Sequence, residues 1–160
     1  MNVQRKEKGF TIIEVVLVLA IAALIFLMIF IALPALQKSQ RDTARKNDLS
    51  RFATAINNYQ SNNKGTIPAA TAAAITTANT GFVASYLTKG GDQFADPHTG
   101  NNYTYQYGVG AAPTTEGQIR YATSAQCGTN GAITSVTPAS PRRFAVSVFM
   151  EGAAAFCQQG

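Results

Sequence analysis

The sequence predicts an α+β chain: a long N-terminal α-helix, apolar in its first half and amphipathic in its second, packed on a small antiparallel β-sheet head. Three observations carry this. Nineteen consecutive residues from Val15 to Leu33, VVLVLAIAALIFLMIFIAL, lack a polar side chain. Helical spacing continues in polar sequence behind them, with Leu49, Phe52, Ile56 and Tyr59 at offsets of 3, 4 and 3 residues. A period of two then takes over at Tyr103, Tyr105 and Tyr107, and again at Phe144, Val146 and Val148. Composition sets the limits: 160 residues have room for one domain, and 46% apolar against 13% charged residues is an average over one greasy block and a long Thr/Asn/Gly-rich remainder. The formal charge of +5 is dilute, since Arg5, Lys6 and Lys8 against Glu7 supply +2 of it. That is too little elsewhere for a nucleic-acid surface.

The apolar run comes first. At about 1.5 Å per residue it spans roughly 28 Å, close to the ~30 Å hydrocarbon core of a bilayer. A single small domain has no interior that could cover such a helix on every side. A removable secretory signal expects about 7–15 apolar residues and a small-x-small cut site, whereas this run is longer and ends in Ala32-Leu33-Pro34-Ala35. A membrane-spanning helix is therefore expected. Its orientation stays open on charge alone, because Arg5, Lys6 and Lys8 precede it and Lys38, Arg41, Arg45 and Lys46 follow it. Pro34 has no N–H for the Phe30 carbonyl and crowds that turn, so it marks either a kink or the end of the span.

Glu14 interrupts the run at its start. A lone carboxylate costs ~2.5–3.5 kcal/mol at the centre of a membrane helix and less near the interface. It either reaches the headgroups or meets a positive charge. A cut after Gly9 would create one, the α-amine of Phe10, and such a pair at ~4 Å and a dielectric near 20 gains roughly 4 kcal/mol before desolvation. The amine of the same chain and that of a neighbour both satisfy this.

The short basic leader, the run K-G-F-T-I-I-E from Lys8 to Glu14, and the unbroken apolar helix resemble the class III signal of type IV prepilins and their pseudopilin relatives. The resemblance implies a pilin fold, cleavage after Gly9 by the prepilin peptidase (a membrane aspartyl protease), N-methylation of Phe10, and an assembly role for Glu14 against a neighbouring subunit. It places the leader in the cytoplasm and the remainder outside. It further implies a structural subunit and no enzyme: a single-pass precursor in the cytoplasmic membrane that polymerises into a helical homo-oligomer, the extracellular pilus, with the help of an assembly ATPase and a platform protein. Adhesion, twitching motility and DNA uptake are the roles of such filaments. Two other readings stand beside it, a pseudopilin of a type II secretion or competence system and a membrane-anchored binding module that never polymerises.

The chain then divides into a leader (1–9), a transmembrane or filament-core helix (10–36), the amphipathic half of the helix (37–64) and a globular head (65–160). Helix from Phe10 to Asn63 would run about 81 Å. Lys38, Arg41, Arg45, Lys46 and Arg51 are expected to cover the sides away from the core, and Gly65 with Pro68 ends the helix. Residues 66–90 read as a connecting loop with a short helix around Gly81–Leu87. Asp96-Pro97-His98-Thr99-Gly100 reads as a turn, followed by strands near Tyr103–Tyr107, Gln118–Thr123 and Arg142–Glu151. The order of apolar run, loop, D-P-x-T-G and Y-T-Y also resembles pilins.

Cys127 and Cys157 exclude a disulfide-dense scaffold and a four-cysteine zinc site. A bridge between them would close a loop of about 30 residues, which chain entropy values at roughly 3.5 kcal/mol; two free thiols are the alternative, and the resemblance implies the C-terminal disulfide of many pilins. His98, the one histidine, sits in the predicted turn with no evident nucleophile and orienting acid, so it reads as a solvated loop residue and no catalytic residue is expected. Asp92, Asp96, Asn101 and Asn102 are oxygen-rich but lack a ligand spacing, and neither a metal nor a cofactor is expected. Arg120, Arg142 and Arg143 are too few for a phosphate-binding patch, leaving nucleic acid an unsupported partner.

Overall fold

A computed structural model describes residues 9–76 and 80–160; the leader up to Lys8 lies outside the described residues. The chain divides into two compact units, residues 1–37 and 38–160. Helix α1, Ile12–Asn62, has 51 residues and includes Pro34. In unit 1 its large apolar side chains from Ile12 to Leu36 are between 46% and 86% exposed.

Unit 2 begins with the amphipathic part of α1, whose stripe of Leu49, Phe52 and Ile56 is fully buried. The helix ends as a Schellman turn. Lys64 takes the left-handed conformation (φ 55°) and the Gly65 N–H reaches back to the Gln60 carbonyl at 2.8 Å. The stop thus uses Lys64 as well as the anticipated Gly65. Two short helices follow, α2 (Ala72–Thr76) and α3 (Phe82–Tyr86), the second where a helix was expected.

The strands are β1 (Thr104–Tyr107), β2 (Gln118–Thr123), β3 (Ala125–Cys127), β4 (Ile133–Ser135), β5 (Phe144–Val148) and β6 (Phe156–Gln159). Four of them form a sheet in the order β1-β2-β5-β6, and β3 and β4 form a separate hairpin. β2–β5 and β5–β6 are antiparallel, but β1 and β2 run parallel, with Thr104 opposite Gln118 and Tyr107 opposite Tyr121. The sheet is antiparallel-rich as expected, with the β1–β2 pair as a parallel exception. The ten residues between β1 and β2 extend up to about 33 Å, ample to return along a four-residue strand of ~13 Å without a crossover helix. Gly108 and Gly117, at φ 84° and 67°, make the two reversals.

β5 explains the layering, since all five of its residues are buried. Phe144, Val146 and Val148 face the core shared with α1, while Ala145 packs with Ala122, Ala125 and Ile133 under the β3–β4 hairpin. Phe52 is the hub of the first core, its ring 5.3 Å from Phe82, 5.8 Å from Tyr121 and 6.0 Å from Tyr105. Gly131 marks where the hairpin touches the segment before β6: a Cβ there would meet the Ala155 carbonyl oxygen at 2.3 Å, and φ is 76°.

Candidate functional site

The residues on which cleavage and assembly were placed lie at the start of α1. Gly9 and Phe10 are exposed and outside the helix. Thr11 and Glu14 close a capping box: the Thr11 N–H donates to Glu14 Oε2 at 3.0 Å, the Thr11 hydroxyl donates to the same oxygen at 2.9 Å, and the Glu14 N–H donates to Thr11 Oγ1 at 3.4 Å. The chemistry is reciprocal, each residue satisfying a backbone donor that the helix end leaves open. Sequence reasoning singled out Glu14 for its charge and passed over Thr11, although T-x-x-E before an apolar run is the written form of this cap. Glu14 Oε1 has no hydrogen bond among the described residues. Pro34 lies inside α1, without an N–H for the carbonyl of Phe30.

Within unit 2 the side chain of Arg45 is fully buried, against the expectation that it covers an outer face. Its Nε donates to Asp96 Oδ2 at 2.6 Å, and its Nη1 donates to Glu151 Oε1 at 2.8 Å and to Asp42 Oδ1 at 3.3 Å. Its guanidinium carbon stands 5.7 Å from the centre of the Phe149 ring. Arg41 grips Glu151 from the other side through Nε and Nη2, at 2.8 and 2.7 Å. A guanidinium is tolerated here because three carboxylates and a ring face replace its water.

The D-P-x-T-G turn is real, and Asp96 builds it by accepting the His98 and Thr99 N–H groups, both at 3.0 Å. With its oxygens committed to Arg45 and to this turn, Asp96 is not a free calcium ligand beside the exposed Asp92. His98 is exposed as expected, yet its Nδ1 lies 2.7 Å from Glu116 Oε2. Arg120 is half-buried over β1, where it donates to the Gln106 side chain and the Gly108 carbonyl. The guanidinium of Arg142 lies against Gly65 instead.

The network sets an acid response. Hydrogen bonds from Arg41 pull Glu151 from an ordinary 4.5 to about 2, against burial and with help from Arg45. Burial pushes Asp96 upward, but Arg45 and the Thr99 and His98 amides outweigh it and hold the group below 3.8. Both carboxyls bind protons more weakly folded than unfolded, so their stabilisation is complete above the unfolded values and is lost as pH falls through the folded ones. Asp48, raised first by burial, acts in the opposite sense. Thermal melts are expected to show the midpoint falling from about pH 4.5 towards pH 2; a midpoint that is flat or rising over this window contradicts the network's role.

Cys127 on β3 and Cys157 on β6 are joined in a disulfide with Cα atoms 5.8 Å apart. The bond ties the hairpin to the edge of the four-stranded sheet, and Gln159 Oε1 accepts the Cys127 N–H beside it at 2.7 Å.

Residues 4–30 match the family described as the prokaryotic N-terminal methylation motif. No curated protein and no solved structure matches the chain. The match covers the end of the leader, the Gly9–Phe10 junction, the capping box and most of the apolar run, which is the processing signal read by prepilin peptidase in pilus systems. With that signal in front of one apolar helix of membrane-spanning length and an α+β head behind it, the N-terminal part of the chain is similar to that of type IV pilin-like and pseudopilin precursors, a structural, non-enzymatic kind of protein, and fits a membrane-anchored precursor.

Proposed function

We propose that this chain is a structural subunit of a type IV pilus. The observation that carries the reading is the run from Ile12 to Leu36, whose large side chains are all exposed, directly behind the methylation motif. The precursor sits in the cytoplasmic membrane with its leader inside. Prepilin peptidase cuts after Gly9 and the Phe10 amine is methylated. The apolar helix then passes from lipid into a bundle of identical helices. Apolar burial drives that step weakly, because lipid is as apolar as the bundle, so extraction falls to an assembly ATPase and a platform protein. The Phe10 amine meets Glu14 of a neighbour through the carboxylate oxygen that Thr11 leaves open, and this pair selects the axial stagger. The filament then carries the heads outside the cell, where adhesion, motility or DNA uptake takes place.

Glu14→Ala tests the assembly step. Sheared surface filaments are expected to disappear, while the variant remains in the membrane fraction and the mature wild-type chain begins at methylated Phe10 by mass spectrometry. Filaments assembled normally from the variant overturn the reading. A membrane-anchored binding module would tolerate the substitution, and a pseudopilin would require Glu14 yet be missing from long surface fibres.

A further inference from the structure

Unit 2 gathers three ligand-type side chains from three separate loops. His98 comes from the turn before β1, Glu116 from the connection into β2, and Glu151 from the segment after β5. One potential ligand atom from each lies within 4.8 Å of the others. The geometry points to a site for a first-row divalent transition-metal ion, with Zn²⁺ as the best fit, held by His98, Glu116 and Glu151.

The donor set selects the metal class. One imidazole nitrogen and two carboxylate oxygens suit zinc, which takes nitrogen and oxygen ligands and in open sites keeps a fourth position for water. Calcium wants six or more oxygens and has little use for imidazole. Tetrahedral zinc at about 2.0–2.1 Å from each ligand sets its ligands about 3.3 Å apart. The ligand atoms lie within 4.8 Å of one another, and His98 Nδ1 stands 2.7 Å from Glu116 Oε2, so small side-chain rotations reach that spacing. The side chains of His98 and Glu116 are 47% and 33% exposed, so they are free to adjust and leave a path for the ion. Glu151 is the fixed member. Arg41 and Arg45 orient it, yet its Oε2 receives only Arg41 Nη2 among the described residues and keeps a lone pair.

Charge supplies a second, independent argument. Asp42, Asp96, Glu116 and Glu151 set four negative charges against Arg41 and Arg45, leaving two uncompensated when His98 is neutral. A divalent ion brings the cluster to neutrality. The cysteines do not compete for it, because they are bonded to each other. Bound metal would clasp the three loops together and stabilise the head by mass action.

The full-length chain, purified in detergent without a tag and titrated with ZnCl₂ in a calorimeter, tests this. One equivalent is expected to bind saturably and raise the thermal midpoint, and CaCl₂ at the same concentration is expected to do neither. His98→Ala and Glu116→Gln are each expected to weaken Zn²⁺ binding about tenfold or more while leaving the metal-free midpoint near that of the parent, since both side chains are partly solvated. Co²⁺ in place of Zn²⁺ is expected to give the intense visible absorption of a tetrahedral site, lost in His98→Ala. Undiminished binding in both variants overturns the proposal, as does the absence of saturable binding in the parent; His98 being the one histidine, binding that survives its removal lies elsewhere.

Discussion

Arg45→Ala is expected to cost the head about 3–5 kcal/mol, the scale of breaking a buried ion pair by removing one partner. The cost comes less from the lost attraction than from what stays behind. Asp96 and Glu151 would keep their negative charge in a site from which Arg45 has excluded water, with Asp42 beside them. Asp42 in turn accepts the Glu151 and Gly152 N–H groups at 2.8 and 2.9 Å, so the loss reaches the segment after β5. The double variant Arg45→Met/Asp96→Asn is expected to be markedly more stable than Arg45→Ala. It fills the volume and removes one orphaned charge, while the Asn oxygen still accepts the His98 and Thr99 amides. Tyrosine emission during urea unfolding reads the head alone, because the six tyrosines all lie between Tyr59 and Tyr121 and the chain has no tryptophan. A loss below about 1 kcal/mol would make this pair no better than an exposed salt bridge and contradict the argument.

Removing the disulfide through Cys127→Ser/Cys157→Ser is expected to cost about 3.5 kcal/mol, from the loop entropy that a 30-residue separation returns to the unfolded chain. The effect is local as well as global. β6 lies at the sheet edge and, among the described residues, pairs with β5 alone, so without the bond it becomes the first strand to open. Hydrogen exchange should show the β6 amides losing protection before those of β2 and β5. An unchanged urea midpoint on adding reductant, with both thiols shown to be alkylated, would sink this expectation.

These two features differ in how far the sequence reveals them. The apolar run, the helical stripe at Leu49, Phe52 and Ile56, the turn at Asp96 and the strand at Gln118–Thr123 are local patterns, placed by run length, period and turn residues in their own stretch of chain. The bridge needed only a count of cysteines and a family resemblance. Arg45 left no such trace. It sits in a basic stretch with Arg41 and Lys46, and its partners Asp96 and Glu151 are 51 and 106 residues away, so only the folded chain shows that it is buried. β3, β4 and β6 have three or four residues each, too few for a period to stand out, and their pairing rests on tertiary contacts. The parallel pairing of β1 and β2 was hidden for another reason: strand direction depends on the path of the ten-residue connection, which alternation within each strand does not encode. Thr11, by contrast, is fully legible, since T-x-x-E before an apolar run spells the cap in the sequence.

The cap at Thr11 bears on how a protease would reach the proposed cut after Gly9. Among the described residues the first helical hydrogen bond runs from the Val15 N–H to the Thr11 carbonyl, so the chain from Gly9 to Thr11 is not wound into a coil. A peptidase that grips its substrate as a stretched ribbon would have no turn to unravel between Gly9 and Thr11. The residues that fix where winding begins sit downstream of the proposed cut, so a chain processed there would retain them.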